Sequence, residues 1–453
     1  MEKDTSHTQK KVVRFAPSPT GLLHIGSVRT ALFNYLYAKR NQARTILRFE
    51  DTDTTRSQKE FEDNIVDGLA WLGLQFDETY RQSERTLIYA KHIQFLIASG
   101  FAYVSDEVSG DRKSVIRFKN PNTSITFNDE IRGEVTFDTT ELQDFVIAKS
   151  ETEPLYHLAV VIDDYEMGVT HIIRGEDHIS NTPRQILILE ALGAPRPAYA
   201  HIPMILASDR SKMSKRHGTV AITEYRNQGF VPAALINYLA LLGWNPGGEK
   251  ELFSLHELIE LFDFSRVHKS GAIFSMEKMK WFNAEHLKLM PLTEKREVLQ
   301  LQLAHTEDIP PEFTALVLSS DLFVLTLFER IEILSEAAVF AKEGEYDYLF
   351  RSPTLTKEAL LWKAETALAT AQRLEKLTDL LGSIDFKNPE SIKESVWEYA
   401  TEEGRGQVLS PFRVALSGKE RSLDPFTIGA IIGKIETLGR LRSALTVLTT
   451  YND

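Results

Sequence analysis

Cysteine and long apolar runs are both missing from this sequence, and each absence excludes a class of protein. Without cysteine the chain forms no disulfide bond and no metal site built on thiolates. No segment approaches the roughly 20 consecutive apolar residues of a membrane helix, and the start MEKDTSHTQKK lacks the hydrophobic core of a secretion signal. We therefore expect a cytoplasmic protein.

An excess of positive charge is also missing. The 453 residues include 52 Lys and Arg against 64 Asp and Glu, a formal net charge of -12, so any affinity for a polyanion must come from local basic patches. The composition is 43% hydrophobic and 26% charged, which is typical of a globular protein with a sizeable core. This length predicts roughly two to four domains.

The first hundred residues alternate between strand and helix patterns. KVVRFA is a β-branched run stopped by PSPTG, and TILRFE is the next strand. A helix begins near Ser27, because apolar residues then recur at helical spacing along one face, at Val28, Ala31, Leu32, Tyr35 and Leu36. A second amphipathic helix, 57–73, ends at a glycine. This alternation predicts a right-handed parallel sheet.

From about Phe101 the pattern changes to short alternating strands, SVIRF, EVTF and DFVIAK, which predict an inserted β-rich segment. Three apolar strands follow, YHLAVVIDD, HIIRGE and HIPMIL, with a helix from about Pro183 to Leu192. Beyond Gly218 helical periodicity dominates, and the proline in LKLMPLTEKREVLQ marks a boundary near residue 290. The predicted fold class is α/β, a doubly wound parallel (Rossmann-like) domain with a β-rich insertion, followed by an α-helical domain.

Three segments follow predicted strands at one edge of this sheet, where open parallel sheets bind their ligands. In the first, RFAPSPTGLLHIGS, the start of a helix favours a phosphate. Gly26 lets the backbone approach that phosphate closely, and His24 can donate a further hydrogen bond. The alternative for this segment is a turn histidine beside a structural glycine.

The second segment, SDRSKMSKRHGT, concentrates four cations in an acidic chain: Arg210, Lys212, Lys215 and Arg216. Because this loop follows HIPMIL directly, we place it on the same sheet edge as His24, where it would meet an anionic ligand. A solvated charge run is the alternative. In the third segment, LRFEDTD, Glu50 ends a strand beside both cationic sites and is suited to bind an amine, whereas Asp53 or Thr55 would cap the next helix.

Together these strings resemble the class I aminoacyl-tRNA synthetases. PSPTGLLHIGS is similar to their HIGH signature and KMSKR to their KMSKS signature, with variant last positions at Ser27 and Arg216. FAPSPTG, RFEDTD, YHLAVVIDD, IIRGEDHISNTPRQ and NYLALLGW are similar to the glutamyl-tRNA synthetases in particular, from about Val12 to Asn283 with one large gap. Beyond residue 290 only scattered likeness remains, such as LFERIEILSE.

The resemblance implies a ligase that uses ATP, with accompanying Mg²⁺, to activate L-glutamate as glutamyl-adenylate. It then transfers glutamate to the 3'-terminal adenosine of tRNA(Glu), with tRNA(Gln) left open as a second substrate. The substrate carboxylate is the nucleophile, so catalysis should rest on positioning and on neutralising phosphate charge. The implied catalytic residues are His24, Lys212 and Lys215. The implied ATP-binding residues are His24, Gly26, Asp177, Ile205, Lys212, Met213, Ser214, Lys215 and Arg216.

Glutamate itself is best distinguished from glutamine by a fixed guanidinium, because glutamine would leave that cation unpaired. Arg14 and Arg174 lie on predicted strands, and a buried arginine without a partner is costly. The alternative is internal pairing with a carboxylate such as Asp163 or Glu176. The resemblance implies a glutamate pocket, with Glu50 taking the α-ammonium, that consists of Arg14, Ala16, Ser18, Glu50, Tyr156 and Arg174.

The resemblance also divides the chain into regions. Residues 11–100 and 155–210 form the two halves of the catalytic domain, 101–154 a shortened insertion that binds the acceptor end, and 211–290 the KMSKS loop with a helical stem-contact region. Residues 291–453 form an α-helical anticodon-binding domain.

Between Gly404 and Arg442 the sequence has seven Lys and Arg (405, 413, 419, 421, 434, 440, 442) against three acids (420, 424, 436). With Phe412 and Phe426 nearby to stack unpaired bases, this excess fits anticodon binding. It equally fits a solvated helix face.

Many bacterial members carry a cysteine-based zinc site in the insertion. Here GFAYVSDEVSGDRK passes directly into SVIRFK, so we expect no zinc, and we expect a monomer. A truncated relative that glutamylates a tRNA base lacks the C-terminal domain, and a small-molecule nucleotidyltransferase would not need it. The intact lysine pair and pocket arginines oppose a third reading, a catalytically silent RNA-binding relative.

Overall fold

The computed structural model describes residues 10–53, 55–106, 114–213 and 221–450. The chain divides into two compact units, Met1–His286 and Leu287–Asp453. This division lies close to the boundary predicted near residue 290.

The first unit contains the strands and the helices that alternate with them. Its strands are β1 (Val12–Phe15), β2 (Arg44–Phe49), β3 (Glu78–Arg81), β4 (Ala102–Asp106), β5 (Ser114–Phe118), β6 (Ser124–Asp129), β7 (Gly133–Asp138), β8 (Phe145–Ser150), β9 (Glu153–Pro154), β10 (His171–Gly175), β11 (Ala198–Ile202), β12 (Ile205–Leu206) and β13 (Ala272–Ile273). The helices up to residue 289 are α1 (Ile25–Arg40), α2 (Lys59–Trp71), α3 (Thr86–Ala98), α4 (Tyr156–Glu166), α5 (Thr182–Ala191), α6 (Ile222–Asn227), α7 (Pro232–Leu241), α8 (Leu255–Leu261) and α9 (Met276–Leu289).

The main sheet has the strand order β3-β2-β1-β10-β11-β6-β7. Its first five strands are parallel. From the adjacent central strands β1 and β10, the sheet continues through β2 and β3 on one side and through β11 on the other. β1 is buried along its whole length, as expected for a strand covered by helices on both faces. The predicted doubly wound parallel fold is therefore confirmed.

Helix α1 follows β1 and carries the predicted apolar stripe. Val28, Ala31, Leu32 and Leu36 are all fully buried, because they recur on one face of the helix. The helix ends with two basic residues, Lys39 and Arg40, whose charges suit the negative end of the helix dipole. Packing along this face directs the start of α1 towards the carboxyl edge of the sheet.

The inserted segment is β-rich, as predicted, but it is divided between two sheets. β4, β5, β8 and β9 form a separate four-stranded antiparallel sheet. β6 and β7 instead form a hairpin that extends the main sheet, with Asp129 of β6 opposite Tyr199 of β11. Part of the insertion thus belongs to the main sheet.

Two of the predicted strands are wrong in detail. YHLAVVIDD folds as helix α4, and its residues from Leu158 to Asp164 are all buried. A helix buried on most of its faces has no polar stripe, so its apolar run is easily taken for a strand. HIPMIL is split at Pro203 into β11 and β12, because proline cannot donate to a sheet ladder.

The second unit is helical. Its helices are α10 (Leu292–Ala304), α11 (Pro311–Ser319), α12 (Asp321–Phe328), α13 (Ser335–Lys342), α14 (Lys357–Leu360), α15 (Ala367–Gly382), α16 (Pro389–Glu403), α17 (Arg405–Ser417) and α18 (Pro425–Thr450). Helix α18 bends at Gly433, which has a φ of 81°. This conformation favours glycine.

The stacking role predicted for Phe412 and Phe426 is not supported by their positions. Phe412 is fully buried and Phe426 is 7% exposed, and their rings lie 6.3 Å apart inside the helical unit. Arg440 is buried too, and it donates hydrogen bonds to the carbonyl groups of Tyr348 and Leu416. These side chains hold the helices together, so part of the basic excess is structural.

Within the described residues, no single helix is both long and apolar enough to cross a membrane. The bent pair Pro311–Ser319 and Asp321–Phe328 meets that test only when its two helices are taken together.

Candidate active site

A cavity of about 510 Å³ lies where β1, β2, β10 and β11 end. This is the switch point at which doubly wound sheets bind ligands. The predicted site residues that line it are Arg14, Ala16, Ser18, His24, Gly26, Glu50, Tyr156, Arg174, Asp177, Ile205, Lys212 and Met213. Ser214, Lys215 and Arg216 lie outside the described residues. The sequence-predicted ATP and glutamate residues that are described therefore share one cavity.

Arg174, near the end of β10, is a buried cation at the cavity wall. Its Nε donates to His201 Nε2 at 3.1 Å and its Nη2 to Thr182 Oγ1 at 2.8 Å. Its Nη1 is buried and has no hydrogen-bond partner among the described residues. Burial lowers the pKa of Arg174. An incompletely satisfied, desolvated guanidinium is costly unless a ligand completes it.

Neither of the two carboxylates considered as internal partners forms a salt bridge with Arg174. Asp163 accepts from Arg85 Nε at 2.7 Å, and Glu176 is bonded to Arg132. No carboxylate within the described part of the chain is paired with Arg174. Its geometry is therefore that of a carboxylate receptor.

Arg14 is different, because it has a protein carboxylate. Its Nε donates to Asp164 Oδ1 at 3.1 Å, so internal pairing holds here, through Asp164 and not Asp163. The fully buried Arg48 donates to the same oxygen at 2.7 Å and to Glu50 Oε1 at 3.2 Å. This network holds Arg14 and Glu50 at neighbouring points of the wall.

Sequence reasoning missed Arg48 and Asp164. The available signal was an arginine in the middle of the apolar strand TILRFE, where a charge must find a buried partner.

Burial raises the pKa of Glu50, against the attraction of Arg48 and Arg14. The two arginines thus favour the carboxylate form that an amine ligand needs.

Tyr156 and His178 form an uncharged part of the wall. The Tyr156 hydroxyl lies 3.0 Å from His178 Nδ1. Burial raises the pKa of Tyr156 to about 12 and lowers the pKa of His178 to about 4. Both groups are therefore neutral near pH 7, and the positive charges at this end of the cavity come from the arginines.

These shifts predict a loss of stability in mild acid. Burial lowers the pKa of each of three histidines to about 4 from an ordinary value of 6.5, at His157, His171 and His178. Their contribution is complete above pH 6.5 and is lost as the pH falls from 6.5 towards 4, because the unfolded chain binds protons first. We expect the melting temperature by calorimetry to be lower at pH 5 than at pH 7.5 by about 2–4 °C or more.

The matched variant for this test is His178→Gln, which should show a smaller fall between the same two pH values. Most aspartates titrate below this window. A melting temperature that is the same at pH 7.5 and pH 5 would contradict the lowered pKa values of these histidines.

The nucleotide end of the cavity is formed by the start of α1. His24 is the N-cap residue of α1: its Nδ1 accepts from the Ser27 backbone N–H at 3.3 Å, and its Nε2 lies 3.1 Å from Ser27 Oγ. A Cβ at Gly26 would lie 3.1 Å from the His24 ring, so glycine permits this ring position. The turn role and the binding role of this segment are compatible, because the cap also lines the cavity.

Lys212 reaches the cavity from the loop after β12. Its Nζ lies 3.2 Å from Asp177 Oδ2, and its side chain is 63% exposed. A Cβ at Gly175 would lie 2.5 Å from Asp177 Oδ1, so glycine at the end of β10 makes room for this carboxylate. Lys212 is thus an exposed cation beside the helix start, where an anion would bind.

No group of three or more His, Cys, Asp or Glu side chains in the described ranges is placed to hold a metal ion. The carboxylates that line the cavity are those of Glu50 and Asp177. Mg²⁺ that is bound to phosphates needs only one or two protein carboxylates. The cavity can therefore accept such an ion together with a nucleotide, at the end where Asp177 lies.

Two family models match the chain. The model described as tRNA synthetases class I (E and Q), catalytic domain, matches residues 10–112 and 105–281. The model described as anticodon binding domain matches residues 276–445. The first match covers the strands and the cavity, and the second covers the helical unit.

Several similar proteins are described as glutamate–tRNA ligases. A glutamate–tRNA ligase from Carboxydothermus hydrogenoformans is 39% identical over 95% of this chain and 98% of its own length. One from Aquifex aeolicus is also 39% identical, over 89% of this chain and 84% of its own length. The crystal structure of a glutamate tRNA ligase from Elizabethkingia meningosepticum in complex with its amino acid superposes with a TM-score of 0.82 at 33% identity, covering 97% of this chain and all of that one.

Proposed function

Because this chain belongs to the class I tRNA synthetases for glutamate and glutamine, we propose that it is the ligase that joins L-glutamate to tRNA(Glu) at the expense of ATP. Membership rests on both family models and on relatives that match nearly the full length. We further propose that Arg14, Ala16, Ser18, Glu50, Tyr156 and Arg174 hold glutamate. We propose that ATP binds to His24, Gly26, Asp177, Ile205, Lys212 and Met213. The sequence signature adds Ser214, Lys215 and Arg216 to the proposed ATP-binding residues.

The observation that carries the glutamate assignment is the buried Nη1 of Arg174, which has no hydrogen-bond partner among the described residues. A γ-carboxylate completes this guanidinium with charge-assisted hydrogen bonds from the two N–H groups of Nη1, whereas a neutral amide oxygen would accept more weakly and leave the positive charge uncompensated. Glu50 lies on the same wall and, as a carboxylate, takes the α-ammonium. The α-carboxylate then points to the nucleotide end.

In the first step an α-carboxylate oxygen attacks the α-phosphorus of ATP. The bond to the β-phosphate breaks and pyrophosphate leaves. Negative charge develops on the phosphate oxygens, and Lys212 and the N–H groups at the start of α1 stabilise it. Asp177 is the residue that would hold an accompanying Mg²⁺ on the protein side, and that ion would supply further shielding of the phosphate charge.

In the second step a hydroxyl of the terminal tRNA ribose attacks the acyl carbon and AMP leaves. No side-chain nucleophile is needed, because both nucleophiles belong to substrates. The helical unit matches an anticodon-binding domain over residues 276–445, and we propose that it binds tRNA. A second substrate, tRNA(Gln), remains an open prediction, as do the monomeric state and the cytoplasmic location.

Exchange of pyrophosphate into ATP tests the proposal. We expect exchange that depends on glutamate and on added tRNA(Glu), followed by aminoacylation of tRNA(Glu). Purified tRNA(Gln) in a parallel assay decides its status. Exchange driven by another amino acid, or no exchange with either tRNA, would overturn the proposed function.

A further inference from the structure

A chain of three buried groups lies behind the glutamate end of the cavity. Asp129, His201 and Arg174 are 1%, 0% and 5% exposed. Asp129 Oδ2 is 2.6 Å from His201 Nδ1, and His201 Nε2 is 3.1 Å from Arg174 Nε. Neither Asp129 nor His201 lines the cavity, whereas Arg174 does. Any effect of the first two on a ligand is therefore indirect, and Arg174 is the cavity-lining residue to which His201 is hydrogen-bonded.

The hydrogen bonds determine which imidazole nitrogen carries the proton. The Asp129 carboxylate can only accept, so His201 Nδ1 donates to it, and the same oxygen also accepts from the His201 backbone N–H at 3.0 Å. The neutral imidazole then presents its Nε2 lone pair to the Arg174 Nε–H. The opposite tautomer would bring two N–H groups together.

Asp129 comes from the inserted hairpin. Its strand, β6, pairs with β11 at Tyr199, two residues before His201. Its other oxygen accepts from the backbone N–H groups of Ile131 and Arg132 at 3.0 and 2.8 Å. The carboxylate is thus fixed by its own turn, and it cannot swing away from His201.

We propose that Asp129 and His201 are positioning residues that hold Arg174 ready for a substrate carboxylate and so set the preference for glutamate over glutamine. This inference rests on the proposed function. With Nε bonded to His201 and Nη2 to Thr182, the guanidinium plane has one orientation, in which Nη1 keeps no protein partner among the described residues. A cation fixed before the substrate arrives discriminates better than one that must reorient.

Two substitutions at His201 separate positioning from simple structural support. In His201→Asn the amide can still meet Asp129 but does not reach the position of Nε2. In His201→Gln the longer side chain brings an oxygen to that position, where it can accept from Arg174. His171→Asn is the matched control, since His171 starts β10, the strand that also carries Arg174, and is not part of the cavity wall.

Glutamate- and glutamine-dependent pyrophosphate exchange with tRNA(Glu) gives the readout. We expect His201→Asn to raise KM for glutamate about tenfold or more, and to lower the glutamate-to-glutamine ratio of kcat/KM by a similar factor. His201→Gln should restore both to within about threefold of wild type, and the control should leave both unchanged. A purely structural role would lower kcat through the active fraction and leave the ratio constant.

Each outcome is decisive. If both His201 variants keep the wild-type ratio, or if both lose it equally, the positioning role is wrong even though the wild-type enzyme uses glutamate. If wild type itself shows no glutamate-dependent exchange, the proposed function fails instead. If His201→Asn does not fold, as judged by circular dichroism, a lowered ratio in the folded Thr182→Val variant together with an unchanged one in His201→Gln supports the proposal that hydrogen bonds to Nε and Nη2 orient Arg174. An unchanged ratio in Thr182→Val overturns it.

Discussion

Replacing Arg174 by glutamine is expected to lower kcat/KM for glutamate by about 10²–10⁴. The estimate assumes two charge-assisted hydrogen bonds between the guanidinium and the γ-carboxylate, each contributing about 1.5–3 kcal/mol, and about 1.4 kcal/mol for each factor of ten. The loss should fall mainly on glutamate, because glutamine gains little from a cation. The glutamate-to-glutamine ratio should therefore approach one.

Steady-state pyrophosphate exchange with tRNA(Glu) measures this effect. Arg184→Gln is the matched control: Arg184 lies on the neighbouring helix α5, stacks on Phe145 with its guanidinium 5.9 Å from the ring centre, and is absent from the cavity wall. It should keep wild-type kinetics. If Arg174→Gln leaves glutamate kinetics unchanged, the assignment of the γ-carboxylate to Arg174 is wrong.

Replacing Lys212 by methionine is expected to lower the rate of activation by about 10²–10³, the usual effect of removing one group that stabilises developing charge. Affinity for tRNA should stay near wild type, because one exposed lysine contributes little to a large RNA interface. Lys212 is 63% exposed, and among the described residues its salt-bridge partner is Asp177, which also lines the cavity. Its removal should therefore leave the melting temperature unchanged.

Rapid-quench measurement of adenylate formation tests Lys212→Met, and filter binding gives the tRNA affinity. Lys59→Met is the matched control, because Lys59 is 68% exposed, is also paired with carboxylates, and lies outside the cavity. Activation at the wild-type rate in Lys212→Met would contradict the role proposed for the loop. Lys215→Met should show an effect of the same kind, and that prediction rests on the sequence signature.

The residues that sequence reasoning found and those it missed differ in a physical way. His24, Gly26, Glu50 and Lys212 stand in short strings at the ends of elements, where local pattern alone places them at the sheet edge. Arg48 and Asp164 support the same wall from inside the core. Asp164 is 150 residues from Arg14, to which it is bonded. No local pattern records such a pair.

The C-terminal unit shows the opposite error. Phe412 and Phe426 stand in a basic stretch and fit a base-stacking surface by composition, yet the helices bury both rings. Arg440 belongs to the same stretch and binds carbonyl groups inside the unit. Composition reports which side chains are near one another in sequence, but it does not report which face of a helix is covered.

The sequence by itself determined the alternation of strands and helices, the parallel sheet, the family and the edge at which the site lies, because periodicity and short signatures are local properties. Only the tertiary structure decided which acid pairs with Arg14, that YHLAVVIDD is a helix, and that Asp129 reaches His201 across 72 residues. The reason is that these features depend on packing and strand pairing between segments that are distant in the sequence. A single register, Asp129 opposite Tyr199, joins the insertion to the buried arginine.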